Sequence, residues 1–414
     1  AGDGSGGGAG AAAGRGGRAK LKAKEAERLS EEVEDLVASR SACPELVERR
    51  DVFVREFRRR LEPELPGSRL VPFGSAATGL WMADSDLDLS VELPSTAGRI
   101  EGKRTLKHVG AIIHRLTGDR PEPRLRARIP ILRWEPERPD VPCCDVSVNN
   151  SLAVANSQLV ASYVAADPRV RPLVVTLKAW ARARGINDRS QGTLSSFAIT
   201  LMALSLLQRV HLLPSLQELA HVRGELAKDV FDCDCRFCDD QIAIAEAIGS
   251  LRESRGGSPG DNIGALLHAF FKYYGADYRG GVISIRGDED ILRGGAGLAA
   301  GDGGGVDDVG QPRWGGAGPS AGASANSSRF FFVENPFQPG LDVANVEVGQ
   351  MARIRDELRK AHRHLGQGRP LADLVTARHD RPFASAAAEA DMTGEEVRLG
   401  SGRSPETTSF AQGG

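Results

Sequence analysis

The sequence predicts an α+β protein, with a small mixed sheet near the front of the chain followed by a mostly helical region. Two observations carry that reading. Between residues 68 and 93, and again at Cys143–Val148, apolar and polar residues alternate with the period of two of half-buried strands. Beyond residue 150 the period changes to 3.6, first with Val170, Leu173, Val174, Leu177 and Ala181, then with Leu194, Phe197, Ala198, Leu201 and Leu204. A chain of 414 residues has room for two cores and for extensions that join neither. Its net charge of −2 exerts no global pull on a nucleic acid, so any such contact must rest on a local basic surface. The longest apolar run, near Phe197–Leu207, is too short for a membrane span and fits a buried helix, and no secretory signal pattern opens the chain.

Residues 1–24 are Gly/Ala-rich, too poor in apolar side chains to order themselves, and their glycines spell no phosphate-binding loop ending in Gly-Lys-Ser/Thr. Residues 25–66 read as two helices packing on the core. Leu29, Val33, Leu36 and Val37 mark the first; Leu46, Phe53, Val54, Phe57 and Leu61 mark the second, with Pro44 suited to its first turn.

Residues 67–150 carry the chemistry. Val71-Pro72-Phe73 reads as a strand that breaks at Gly74-Ser75, where small residues let backbone N–H groups approach a phosphate. From Asp86 onward Leu87, Leu89 and Val91 face a core, and Asp86 and Asp88 project together from the other face, roughly 6.5–7 Å apart at their backbones. Carboxylates that close repel unless protonated or bridged by a cation, and oxygen-only ligation suits Mg²⁺ or Mn²⁺. Taken alone, an Asp-x-Asp strand is also an ordinary solvated edge; the Gly-Ser turn ahead of it favours a metal–nucleoside triphosphate site. A helix is expected from about Lys103 to Leu116. Arg124–Arg133 alternates as one strand, with Leu125, Ala127, Ile129 and Ile131 inward and Arg124, Arg126 and Arg128 on the other face, as counter-charges to the carboxylates or as a solvated edge. In Cys143-Cys-Asp-Val-Ser-Val148, Asp145 and Ser147 share one face and Val146 and Val148 the other.

Residues 151–365 form the helical region. Lys178 and Arg182 stand four apart on one helix face, and Thr193 reads as the N-cap of the next helix, leaving open N–H groups near Ser195 and Ser196: together an anion clamp. Ile263, Leu266, Leu267, Phe270 and Tyr274 mark another helix, followed by a strand at Val282–Ile285. Residues 293–328 read as a disordered Gly/Ala/Ser-rich insertion, order resumes at Arg329–Phe337, a last helix carries Met351, Ile354, Leu358, Ala361 and Leu365, and 366–414 reads as a tail without structure.

Gly74-Ser75, a spacer, Asp86-x-Asp88 and a later Asp145 resemble the signature of the polymerase-β-like nucleotidyltransferases. Val170–Asn187 and Gln191–Phe197 are similar to the non-templated branch, the terminal uridylyltransferases and poly(A) polymerases. Phe270–Tyr274, Gly281–Arg286 and Glu334–Phe337 resemble that branch's PAP-associated region. The likeness covers roughly 65–365. It implies a polymerase-β-type catalytic domain, a mostly helical PAP-associated domain, and transfer of UMP or AMP from UTP or ATP to an RNA 3′-OH. It further implies two Mg²⁺ or Mn²⁺ ions on Asp86, Asp88 and Asp145, with Asp145 taking the hydroxyl proton. Gly74 and Ser75 would hold the triphosphate; Lys178, Arg182 and Ser196 its β- and γ-phosphates; Asn150 the ribose 2′-OH, with Ser157 nearby; Phe197 would stack on the base, where relatives usually have Tyr.

Near the base pocket relatives commonly read Glu-Asp-Pro-Phe-Glu, and this chain has Glu334-Asn335-Pro336-Phe337-Gln338. Many uridylyl-specific members place a His a few residues on, and Leu341 stands there, so the base stays open between uracil and adenine. A protein partner for RNA targeting fits the lack of any recognisable RNA-binding module. The competing reading is an inactive RNA-binding scaffold on the same fold.

Cys233, Cys235 and Cys238, with His221 as a distant fourth ligand, do not make a paired Cys-x-x-Cys set, so no zinc is expected. Six cysteines in this length point to a reducing intracellular compartment, the cytoplasm first, with nucleus or organelle open given the Arg/Lys-containing start. Beginning at Ala1, the chain reads as open to truncation or processing.

Overall fold

The structure, a computed structural model, describes residues 21–94, 99–126, 129–137, 142–254, 262–287 and 331–376. The low-complexity readings at 1–20, 293–328 and 377–414, and the reading of Ala127 and Arg128, lie outside the described residues. Within them the fold is α+β.

Two helices open it, α1 (Ala23–Arg40) and α2 (Pro44–Leu61), the second with its proline in the first turn. Then follow β1 (Arg69–Phe73), the four-residue α3 (Ser75–Thr78), β2 (Leu87–Glu92), α4 (Arg99–Thr117), β3 (Glu122–Arg124), β4 (Ile131–Trp134) and β5 (Cys144–Val148). These strands form one mixed sheet in the order β1-β2-β5-β4-β3, antiparallel except for the central β2–β5 pair. Leu87, Leu89 and Val91 are fully buried, as their alternation requires, and pack with Val54, Phe57 and Leu61 of α2 and with Leu106, Val109 and Ile113 of α4.

The continuous strand expected over 124–133 is instead two short antiparallel strands, β3 and β4, and Ile129 between them is 46% exposed rather than in the core. The register therefore brings Arg133, not Arg124 or Arg126, beside Asp145. Pro130, which cannot donate to a ladder, sits where the strand fails.

The remaining elements are α5 (Ser151–Ala166), α6 (Val170–Ala183), α7 (Ser196–Arg209), α8 (Leu216–Val222), the small hairpin β6 (Asp229–Val230) and β7 (Cys233–Asp234), α9 (Gln241–Ser254), α10 (Ile263–Lys272), β8 (Val282–Ile283), β9 (Phe332–Asn335), β10 (Gln338–Asp342), α11 (Val348–Gly366) and α12 (Ala372–Val375). A second, larger core gathers them, with Trp180 of α6 edge-on to Phe271 of α10 at 4.8 Å between ring centroids. The two N-terminal helices divide between the cores. While α2 covers the sheet, α1 lies across α10, where Ser30 Oγ accepts from Gly264 N at 3.0 Å and a Cβ on Gly264 would strike Ala26 O. Order also continues past Gly366. Leu371, Leu374 and Val375 are buried by α12 packing on α6, and Glu32 accepts from Leu371 N at 2.7 Å, a tertiary contact that no local pattern announces.

Candidate active site

The parallel β2–β5 pair sets Asp88 directly opposite Asp145. Asp86 precedes β2 by one residue and joins them through Arg133, whose guanidinium donates to Asp86 Oδ2 and Oδ1 (2.9 and 3.2 Å) and to Asp145 Oδ1 (3.2 Å). Desolvation, with the like charges of Asp145 and Asp86, pushes the Asp88 carboxyl up to about 7, and burial also raises Asp145, against the pull of Arg133. The three carboxylates thus share one face and feel one another, while Arg133 stands between two of them. Among the described residues no three acidic, His or Cys side chains are already drawn together as a cage. Sequence reasoning missed Arg133; the signal was present, since Ile131-Leu-Arg-Trp134 alternates and its one charged residue faces the same way as Asp145.

The turn ahead of β2 is held against Asp88. Gly74, at φ +63° and ψ −144°, occupies a region open essentially to glycine, and a Cβ there would overlap Asp88 Oδ2. Ser75 then starts α3. The hydroxyl of Ser157, expected near the ribose, accepts from Gly74 N (2.8 Å) and gives its one proton to Ala153 O (2.7 Å), so it anchors the turn to α5. Asn150 is the N-cap residue of α5 without a side-chain cap bond, its backbone N donating to Ser90 Oγ at 3.0 Å, while the side chain of Asn149 is spent on Leu93 N (2.7 Å).

From the helical side α6 brings Lys178 near Asp88 and sets Arg182 on Asp84, two residues before Asp86. Lys178 is only 4% exposed; burial and Arg182 draw its ammonium down to about 8, opposed by the nearby Asp84 and Asp88. Arg182 pairs with Asp84 at 2.7 Å, a partner that sequence reasoning also missed. The N-cap of α7 is Ser195, not Thr193. Ser195 Oγ accepts from Ala198 N (3.0 Å) and donates to Val343 O (3.2 Å), whereas Thr193 closes the preceding loop on Asp188. Ser196 exchanges bonds with the Asn187 amide (3.1 Å), and Phe197 is half-buried against the helical core.

The three residues expected around a base differ in exposure. Asn335 is 5% exposed and its Oδ1 accepts from Phe337 N (2.9 Å), which makes it a turn-closing residue; Gln338 and Leu341 on β10 are partly exposed. Among the described residues no hydrogen bond joins Asn150, Ser196, Phe197, Asn335, Gln338 or Leu341 to the carboxylates. All six cysteines are unpaired, with Cys235 and Cys238 buried.

Residues 29–165, the stretch that builds the Asp-bearing sheet and its flanking helices, match the family model of the central palm domain of mitochondrial-like poly(A) RNA polymerase. The chain is 31% identical over 284 residues to poly(A) RNA polymerase GLD2 of Bos taurus, covering 64% of this chain and 55% of that protein. To human terminal uridylyltransferase 7 it is 32% identical over 234 residues, 55% of this chain and 15% of that protein. The chain therefore spans about half the length of the GLD2 relatives it matches, and much less of the uridylyltransferase. Its fold matches that of the Cid1 poly(U) polymerase solved with MgATP bound, with a TM-score of 0.65 at 24% identity, over 85% of this chain and 99% of that one. No helix among the described residues is long and apolar enough to cross a membrane.

Proposed function

We propose that this chain is a template-independent RNA 3′-terminal nucleotidyltransferase, moving UMP or AMP from UTP or ATP to an RNA 3′-OH with release of pyrophosphate. The observation that carries the proposal is the register pairing of Asp88 with Asp145, with Asp86 on the same face and the Gly74 turn against Asp88. The relatives named above support it, being poly(A) polymerases and uridylyltransferases.

The residues present fit divalent ions. The donors are all carboxylate oxygens, and the Asp88 carboxyl is raised first by burial and then by the like charges of Asp145 and Asp86, which a divalent cation would offset. Asp86, Asp88 and Asp145 would hold the ions, Mg²⁺ or Mn²⁺, which when bound supply positive charge to the attacking and leaving oxygens. The rest is done by the chain. The Gly74-Ser75 turn, anchored to Ser157 through the Gly74 N–H, leaves the backbone N–H of Ser75 for the triphosphate. Lys178 and Arg182 attract the β- and γ-phosphates, and burial makes the Lys178 charge count for more than it would in water. Asp145, its carboxyl raised by burial above the ordinary range, is the acceptor we assign for the 3′-OH proton. Asn150 is assigned to the ribose 2′-OH, Ser196 to a phosphate, Phe197 to stacking on the base, and Gln338 and Leu341 to the edge of the base pocket.

The test is direct. Purified protein is incubated with labelled RNA, Mg²⁺ or Mn²⁺, and each nucleoside triphosphate in turn. Extension with UTP or ATP is expected, and the competition between the two settles the base. No extension with any nucleotide would leave the inactive scaffold as the better reading.

A further inference from the structure

The helix that brings Lys178 and Arg182 to the candidate site ends at a second group of cations. Arg184 follows α6 directly, and its guanidinium donates to the carbonyls of Leu374 (3.1 Å) and Asp373. It forms one wall of a cavity of about 360 Å³, closed by α11 and the turn into α12, where Arg363 and Arg369 also stand. Along its 19 residues α11 carries Arg353, Arg355, Arg359, Lys360 and Arg363 against only Asp356 and Glu357. A helix this basic is most often just a solvated face, and by itself it would carry nothing.

Three further facts change that. Asp356 and Glu357 are both taken by Lys360, at 2.6 and 3.1 Å. Arg363 and Arg369 are exposed, and among the described residues no hydrogen bond or ion pair holds either guanidinium, the Asp356 carboxylate acting on Arg363 only through its charge. The cavity is lined by four permanent cations (Arg184, Lys360, Arg363, Arg369) and two carboxylates (Glu357, Asp373), an excess of two positive charges in a chain whose net charge is −2. Guanidinium groups lining a concave space with positive charge in excess match a phosphate group better than any neutral ligand.

We propose that this cavity is a second phosphate-binding site, which takes a backbone phosphate of a single-stranded RNA whose 3′ end lies at Asp86, Asp88 and Asp145. The proposal rests on the RNA-extending reading. Continuity along one helix favours RNA over an unrelated small anion. From Lys178 to Arg184 the chain rises about 9 Å and turns about 240° round α6, so a strand would reach the cavity by passing the end of the helix.

The test compares the full chain with its Arg363→Gln/Arg369→Gln variant, both positions being exposed and outside the catalytic machinery. Binding of a labelled single-stranded oligonucleotide is followed by fluorescence anisotropy across a salt series, without nucleoside triphosphate. The variant should bind more weakly, and its plot of log affinity against log salt should be shallower by about 0.7, the change for one phosphate contact on a single strand. Extension of a dinucleotide primer, too short to reach the cavity, should be unchanged. An unaltered salt slope, or an equal loss on the dinucleotide primer, overturns the proposal. So does a second equivalent of ATP or UTP that binds the wild type and is lost in the variant while the RNA slope stays the same, since the site would then hold a free nucleotide. Because binding is read without catalysis, the slope comparison decides this site even in a chain that extends nothing, where only the transferase reading would fail.

Discussion

Asp88 on β2 and Asp145 on β5 are direct partners across a parallel strand pair, so two of the three candidate metal carboxylates are adjacent by backbone register alone. The cost of that arrangement is visible in the Asp88 carboxyl, pushed up to about 7 by burial and by its two acidic neighbours. Replacing it should therefore separate stability from activity. Asp88→Asn is expected to lower RNA extension by at least roughly a hundredfold. The same substitution should raise the melting temperature by about 2–4 °C in the absence of divalent ions, the scale of 1 kcal/mol of relieved repulsion. Thermal melts in EDTA alongside gel-based extension check both halves. A variant that loses activity and melts earlier would mean the residue supports the fold instead.

Gly74→Ala should damage both properties. The conformation at φ +63° and ψ −144° costs a residue with a Cβ about 1–3 kcal/mol, and the new methyl overlaps Asp88 Oδ2. Denaturant titration should show a loss of about 2 kcal/mol or more, with extension abolished. Retained activity would detach this turn from the carboxylates.

Arg133 holds Asp86 and Asp145 with three hydrogen bonds that an ion seated between them must displace. Arg133→Met should bind Mn²⁺ about tenfold more tightly by isothermal titration, the equivalent of about 1.5 kcal/mol for one charged hydrogen bond no longer broken. Weaker binding in the variant would show that Arg133 helps to assemble the ion site.

Lys178 gives a pH signature. Because burial draws its ammonium down to about 8, the charge is complete below that pH and is lost above it. If Lys178 attracts the triphosphate, KM for the nucleotide should rise as pH passes 8, by up to roughly tenfold per unit, while kcat changes less. Lys178→Arg, which keeps its charge, should flatten the rise, and a rise that survives in the variant would assign it to another group.

Far from the site, His268 of α10 faces His362 of α11 with ring centroids 5.0 Å apart. Burial, with His362 and Lys272 nearby and Glu25 opposing them, draws the His268 imidazole down to about 4 from the ordinary 6.5. Its folded form therefore binds fewer protons than the unfolded chain between pH 4 and 6.5. The associated stability is full above pH 6.5 and is lost as pH falls through that window. Urea titrations at pH 7.5 and 5 should differ by on the order of 2 kcal/mol, and His268→Gln should remove most of the difference. An unchanged pH dependence in the variant would place the titrating group elsewhere.

Much of the site was legible in the primary structure because its pieces are local. Alternation determined that Leu87, Leu89 and Val91 go inward and Asp86 and Asp88 outward, and a glycine followed by small residues announced a turn that only glycine can make. The change of period near residue 150 located the helical region and put Lys178 and Arg182 on one face. Such signals survive without tertiary information because strand and helix periodicity decides which face a side chain occupies before anything packs against it.

What only the tertiary structure decided is which residues those faces meet. Arg133 reaches Asp86 from 47 positions away, Arg182 reaches Asp84 across 98, and Ser157 anchors Gly74 across 83, so none of these pairings leaves a trace in local spacing. The same reason separates α1 from α2, sends α12 back onto α6, and makes Ser195 rather than Thr193 the cap of α7. Sequence periodicity records a preference for burial or solvent. The identity of the partner depends on the path the chain takes between them, which exists only once the two cores have formed.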